Sequence, residues 1–369
     1  MSEVNGTERE RIAVGKIQIV RREQPKTKPD PEKLGFGQYF TDHMLLMDYS
    51  AETGWREPEI VPYGPISLDP SAMVLHYGQE VFEGMKAYTL EDGRIALFRP
   101  DMNMKRMNQS CERLSIPRFD PETVLEGIVE LVSLDRDWIP DGDDTSLYIR
   151  PFIIATEPCL GVRASKEYKL IVILSPVGSY YPEGIHPVSI YVEDQFVRAV
   201  RGGTGAAKTS GNYAAGIKAQ ETAKEQGFSQ VLWLDGVEKK YIEEVGSMNV
   251  FFKIGGEVVT PALSGSILAG ITRDSVITML RSWGLTVTER KISVEELFEA
   301  ARKGLLEEAF GTGTAAVISP IGTMKWEQEQ ITIAGGNTGE YAKKLYDTIT
   351  GIQKGLLEDR FGWIKEIQV

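Results

Sequence analysis

Apolar positions recur with two different periods along this chain. In residues 101–114 the apolar side chains Met104, Met107, Cys111 and Leu114 fall three or four apart, which predicts a helix. A second helix is predicted over 121–132, with Asp120 as its cap and Pro121 at its first position, where a missing N–H is harmless. Residues 66–99 alternate short apolar runs with turn residues: Ile66-Ser67-Leu68, Gly84-Met85-Lys86-Ala87-Tyr88 and Arg94-Ile95-Ala96-Leu97-Phe98. Glu91-Asp92-Gly93 reads as a hairpin turn between the last two. Residues 146–155 and 169–176, rich in Ile and Val, read as strands.

The second half alternates strands and helices. Strands are predicted at 188–192, 231–234, 248–254 and 315–320, and helices at 212–225, 272–283, 293–303 and 339–354. Gly227 and Gly284 end two of these helices, and Ser293 with Glu296 forms a capping box. Between the halves, residues 178–187 hold two prolines and two glycines and read as a linker. The expected organisation is a first domain over 1–178, a linker over 179–187 and a second domain over 188–369.

Composition narrows the function. The chain of 369 residues carries a formal net charge of -12, which disfavours nucleic acid and anionic lipid as partners. Two cysteines, Cys111 and Cys159, lack C-x-x-C spacing, and no H-E-x-x-H pair occurs among the three histidines, so no metal site is expected. The apolar runs are too short to span a bilayer, and residues 1–20 have no apolar signal core. These features predict a cytoplasmic enzyme.

The chemistry concentrates at Lys208, within Gly202-Gly203-Thr204-Gly205-Ala206-Ala207-Lys208-Thr209-Ser210-Gly211-Asn212-Tyr213. A lysine in a glycine-rich loop either clamps a phosphate as a point charge or acts as a Schiff-base nucleophile. The phosphate loop of an NTPase requires G-x-x-x-x-G-K-[ST], and Ala207 stands where its last glycine belongs. Its methyl group crowds the cradle that glycine would open. The Schiff-base use with pyridoxal phosphate needs an acid for the pyridine nitrogen, a donor to the ring oxygen and an anion site. Each has a candidate: Glu243-Glu244 before a strand, Tyr213, and the helix start at Gly270-Ile271-Thr272. Gly311-Thr312-Gly313-Thr314-Ala315 is a second small-residue loop suited to close backbone approach. Taken singly, each of these has an ordinary structural explanation; a lysine in a loop usually faces solvent.

Together they are more specific. With Phe82-Glu83-Gly84-Met85-Lys86-Ala87, Ser146-Leu147-Tyr148-Ile149-Arg150-Pro151, Gly211-Asn212-Tyr213 and Gly313-Thr314-Ala315, the chain resembles the fold-type IV pyridoxal phosphate enzymes, closely the branched-chain amino acid aminotransferases. The resemblance runs from about Phe36 to the C-terminus. It implies a two-domain α/β (α+β) fold, with a small N-terminal α/β domain and a larger C-terminal domain built on a mixed, barrel-like sheet flanked by helices. It implies Lys208 as Schiff-base lysine and proton shuttle, and Glu244 rather than Glu243 on the pyridine nitrogen. Tyr213 falls on the ring oxygen, and Arg106, Ser247, Ile271, Thr272 and Thr314 hold the cofactor.

The implied reaction is ping-pong transamination of Leu, Ile and Val with 2-oxoglutarate, giving branched 2-oxo acids and glutamate. The implied substrate pocket is Phe40, Tyr77, Phe82, Tyr148, Arg150, Tyr180 and Ala315. Tyr148 and Arg150 would receive the glutamate side chain, and the aromatic walls would reject an unpaired charge. Leu160 and Val162 would reach the partner's site in a homodimer. Related activities, D-amino acid transamination and aminodeoxychorismate cleavage, would use the same lysine and acid. Mammalian members of the family carry a C-x-x-C switch after the Gly-Thr loop; here that stretch is Ala315-Ala316-Val317-Ile318-Ser319.

Overall fold

A computed structural model describes residues 11–14, 17–142, 144–178 and 185–367. It forms two compact units of nearly equal length, Met1–Gly178 with Lys365–Val369, and Ser179–Ile364.

The first unit is built on an eleven-stranded sheet. Its centre is the strand Ser146–Ala155, paired antiparallel with Glu167–Val177 on one side and with Met85–Thr89 and Glu80–Phe82 on the other. Both faces of that strand are largely buried, which explains its nearly continuous apolar sequence. The helices Pro100–Arg113 and Pro121–Leu134 seal one core, where Met104, Met107 and Cys111 share a cluster with Val124, Ile128, Leu45 and Ile149. The second helix starts as its sequence predicts: the Asp120 carboxylate accepts the Thr123 N–H at 3.0 Å, a cap whose loss costs about 1 kcal/mol. The chain end returns to this unit, since Ile364–Ile367 lies beside Ile95–Phe98.

The second unit holds a nine-stranded mixed sheet. Val188–Glu193 runs parallel to both neighbours, Gln230–Leu234 and Val317–Trp326. Most of the other ladders are antiparallel, including Gln230–Leu234 with Ile242–Val245 and Asn249–Ile254 with Leu306–Gly313. Ile190, Leu232, Val250, Phe252, Leu297 and Phe298 fill its core.

Three local readings need correction. The helix expected over 212–225 is two helices, Ser210–Ala214 and Ile217–Glu225. The break falls beside Gly216, where an added Cβ would meet the Trp233 ring at 3.1 Å. The chain turns tightly there and sets Tyr213 on its own short helix. The strand expected at 315–320 starts later and runs longer, as Val317–Trp326. In the capping box, Ser293 Oγ accepts the Glu296 N–H at 3.1 Å, but the Glu296 carboxylate pairs with Arg290 at 2.7 Å. The full cation outcompetes a backbone N–H for that carboxylate.

Candidate active site

The loop carrying Lys208 is tied down from within. Asn212 donates through Nδ2 to the carbonyls of Thr204 and Ala207, both at 2.8 Å, and its Oδ1 accepts from Thr204 Oγ1 at 2.7 Å. Ala207, immediately before the lysine, is therefore held by a buried amide. Lys208 Nζ then donates to Tyr213 Oη at 2.8 Å. The spacing of five residues across a helix start brings amine and phenol together.

The two neighbouring acids separate cleanly. Glu244 is buried, accepts the Leu268 N–H at 2.7 Å, and lies 3.3 Å from Arg198 Nε. The Arg198 contact is an ion pair without an aligned hydrogen bond, so attraction of charge rather than donor geometry holds it. Arg198 also donates through Nη2 to the Ser266 and Gly205 carbonyls, which links the acid to the lysine loop. Glu243 faces away and takes the hydroxyl of Ser266. Burial pushes the Glu243 carboxyl above the usual range, against the lowering effects of Ser266 and Arg198.

Tyr213, Glu244 and Ser247 line one small cavity of about 20 Å³, with Arg198, Ala207 and Leu268. Ile271 and Thr272 open the helix Ile271–Ser282, whose cap, Gly270, has no side chain to occupy the first-turn N–H groups. Such a helix start attracts an anion. Thr314 and Ala315 lie in the turn between Leu306–Gly313 and Val317–Trp326. That turn closes on Val317 at φ +60°, strain of order 1–3 kcal/mol for a non-glycine residue.

Apart from Tyr180, the remaining predicted residues belong to the first unit. Arg106 forms a buried bidentate pair with Glu83, at 2.7 and 2.9 Å, and Asn103 adds a bond to the same carboxylate at 2.8 Å. Phe82, Tyr148 and Arg150 form one cluster: Arg150 donates to Tyr148 Oη at 2.9 Å and sits 4.8 Å from the Phe82 ring centre. Two-residue spacing on one strand puts Tyr148 and Arg150 on the same face. Gly84 makes room for the phenol, because a Cβ there would collide with Tyr148 Oη. Phe40 stacks on Tyr63 at 5.1 Å. Tyr77 donates its hydroxyl to the Leu160 carbonyl, while the Leu160 and Val162 side chains are exposed. Tyr180 lies outside the described residues.

Sequence reading missed Arg198, Asn212 and Glu83. Asn212 and Glu83 lay in view in the Gly211-Asn212-Tyr213 and Phe82-Glu83-Gly84 segments without a role assigned to them, and Arg198 carries no local signal. The partners of Arg198 and Glu83 are distant in sequence, 46 residues in the case of Arg198 and Glu244 and 23 in the case of Glu83 and Arg106.

A nucleophilic amine beside a phenol, a buried carboxylate balanced by arginine, and an uncapped helix start together fit pyridoxal 5′-phosphate. This is the donor set of a pyridoxal phosphate aminotransferase. The model of the amino-transferase class IV family matches residues 80–323, and the chain belongs to that family. Within it, the chain is a member of the branched-chain-amino-acid aminotransferase family. It is 65% identical over 351 residues to branched-chain-amino-acid aminotransferase 2 of Bacillus subtilis (strain 168), covering 95% of this chain and 97% of that one. It is 57% identical over 353 residues to branched-chain-amino-acid transaminase 1 of the same organism, covering 95% and 99%. Among solved structures it is similar to the branched-chain amino acid aminotransferase from Escherichia coli. That likeness has a TM-score of 0.72 at 26% identity over 89% of this chain and 99% of the other. Pyridoxal phosphate is the cofactor of this enzyme family.

Proposed function

We propose that this protein transfers the amino group of leucine, isoleucine or valine to 2-oxoglutarate, with Lys208 as the catalytic residue. The observation that carries the reading is the 2.8 Å bond between Lys208 Nζ and Tyr213 Oη beside buried Glu244. When bound, pyridoxal phosphate supplies an electron sink that acidifies the proton on the substrate α-carbon. Lys208 removes that proton as general base and returns it at C4′ as general acid. Tyr213 orients the lysine amine between these positions. Glu244, paired with Arg198 and bound by the Leu268 N–H, would hold a proton on the pyridine nitrogen. Ile271, Thr272, Thr314 and Arg106 are assigned to the phosphate and Ser247 to the cofactor's surroundings, through charge-assisted bonds and backbone donors.

In this reading Phe40, Tyr77, Phe82, Tyr180 and Ala315 receive the branched side chain, and Tyr148 with Arg150 receives the glutamate carboxylate. Burial of apolar side chains favours the first, at roughly 25 cal/mol per Å². The observed Arg150 to Tyr148 bond supports the second, since both groups can turn donors to one anion. The exposed Leu160 and Val162 fit a homodimer in which they complete the partner's site. No helix among the described residues is long and apolar enough to cross a membrane, and we assign the enzyme to the cytoplasm.

The test is Lys208→Ala. The variant retains its far-ultraviolet circular dichroism, loses the visible absorbance of the bound cofactor, and fails to transaminate leucine with 2-oxoglutarate. A folded variant with full activity would overturn the assignment.

A further inference from the structure

The strand Ile242–Val245 has a second cavity on the side of Glu243, of about 170 Å³. Ser266, Arg201, Lys291, Pro261 and Ile267 line it with Glu243. Glu243 is 6% exposed, and its Oε2 is buried without a hydrogen-bond partner. A buried carboxylate oxygen left without a donor is costly, and a fitting ligand N–H would remove that cost. At about 30 Å³ per water the volume holds more than a single solvent molecule. Arg201 and Lys291, both exposed, bring positive charge to the rim beside the acids Asp235 and Glu238. Of the acids at the edge, Asp235 is already engaged by the backbone N–H groups of Val237, Glu238, Lys240 and Tyr241. Glu238 is exposed. Val237, Ile242, Pro261, Ala262 and Ile267 give the lining its apolar part, and Tyr241 and Ser264 add polar groups.

We propose that this cavity is a second binding site, for a small zwitterionic α-amino acid with an apolar side chain. Its ammonium binds Glu243, its carboxylate faces Arg201 and Lys291, and its side chain lies on Pro261 and Ile267. A simple cation would leave the rim unanswered, and a simple carboxylic acid would leave the floor unanswered.

The site is wired to Glu244. Ser266 gives its hydroxyl to Glu243 and its carbonyl to Arg198, and Arg198 pairs with Glu244. Two residues on, the Leu268 N–H binds Glu244 directly. An occupant that draws on Glu243 therefore pulls on the segment that fixes the other acid.

The experiment is calorimetric titration of borohydride-reduced holoenzyme, in which Lys208 can no longer exchange with a free amine. L-Leucine is the probe, and 4-methylpentanoate, which lacks the ammonium, is the control. We expect saturable leucine binding at least tenfold tighter than the control. We expect it to weaken at least tenfold in Glu243→Gln and in the double variant Arg201→Ala, Lys291→Ala. The double variant changes only exposed side chains and decides the matter if Glu243→Gln fails to fold. Absent binding, or binding unchanged by these variants, overturns the site. Saturation also changes the emission of the reduced cofactor, and unchanged emission overturns the link to Glu244. The binding readout is independent of transamination, so its failure leaves the proposed reaction standing.

Discussion

Glu243 and Glu244 are adjacent on one strand and face opposite ways, one toward Ser266 and the other toward Arg198 and the Leu268 N–H. The pleat of a strand enforces this, since successive side chains alternate faces. Glu244, and not Glu243, lines the small cavity that Tyr213 lines.

The rates of two alanine variants follow from that alternation. Glu244→Ala lowers kcat with leucine by a factor of order 10²–10³, the scale of losing one preorganised electrostatic partner. Glu243→Ala lowers it less than tenfold. Steady-state kinetics at saturating cofactor measures both, and equal losses would show that the wrong acid is assigned.

Arg198 acts through Glu244. Arg198→Ala removes a cation that pairs with the buried Glu244 carboxylate. Breaking a buried pair by removing one partner costs about 3–5 kcal/mol. We expect a lower Tm and weaker cofactor retention on dialysis, with Arg198→Lys partly restoring the retention. Retention equal to the parent in Arg198→Ala would contradict this role.

In the first unit, Glu83→Gln removes the charge opposite Arg106 while keeping the side-chain shape. Glu83 is fully buried and binds the guanidinium at two points. Denaturant unfolding should show a loss of about 3–5 kcal/mol. Glu83→Asp, which keeps the charge on a shorter arm, should lose less.

Glu243 also predicts a pH effect. Burial raises its carboxyl above the ordinary value of 4.5, so the folded state holds its proton more tightly than the unfolded chain does. Stability from this group is present below 4.5 and is lost as pH rises toward the raised value. Glu243→Gln cannot ionise and still accepts from Ser266. Its Tm relative to the parent should therefore rise between pH 4 and neutrality and then level off. A Tm difference independent of pH would mean that Glu243 ionises in the fold as it does in water.

The local elements were legible because their causes are local. Asp120 three residues before Thr123, and Met104, Met107 and Cys111 at helical spacing, declare a cap and a buried face without reference to the rest of the chain. Lys208 and Tyr213 belong to the same class: five residues apart across one loop and helix start, they needed no tertiary information to be paired. The close packing of Gly216 against the Trp233 ring was invisible because that ring lies on the strand Gln230–Leu234, outside the local segment.

Sequence by itself determined the chemistry of this protein: a lysine among small residues, a phenol, an acid before a strand and an uncapped helix start. Tertiary structure decided the electrostatics. Arg198 meets Glu244, Arg106 meets Glu83, and Glu243 opens onto a cavity of its own because the sheet brings together residues far apart in the chain. The energy of a buried charge depends on what surrounds it, and those surroundings exist only after folding.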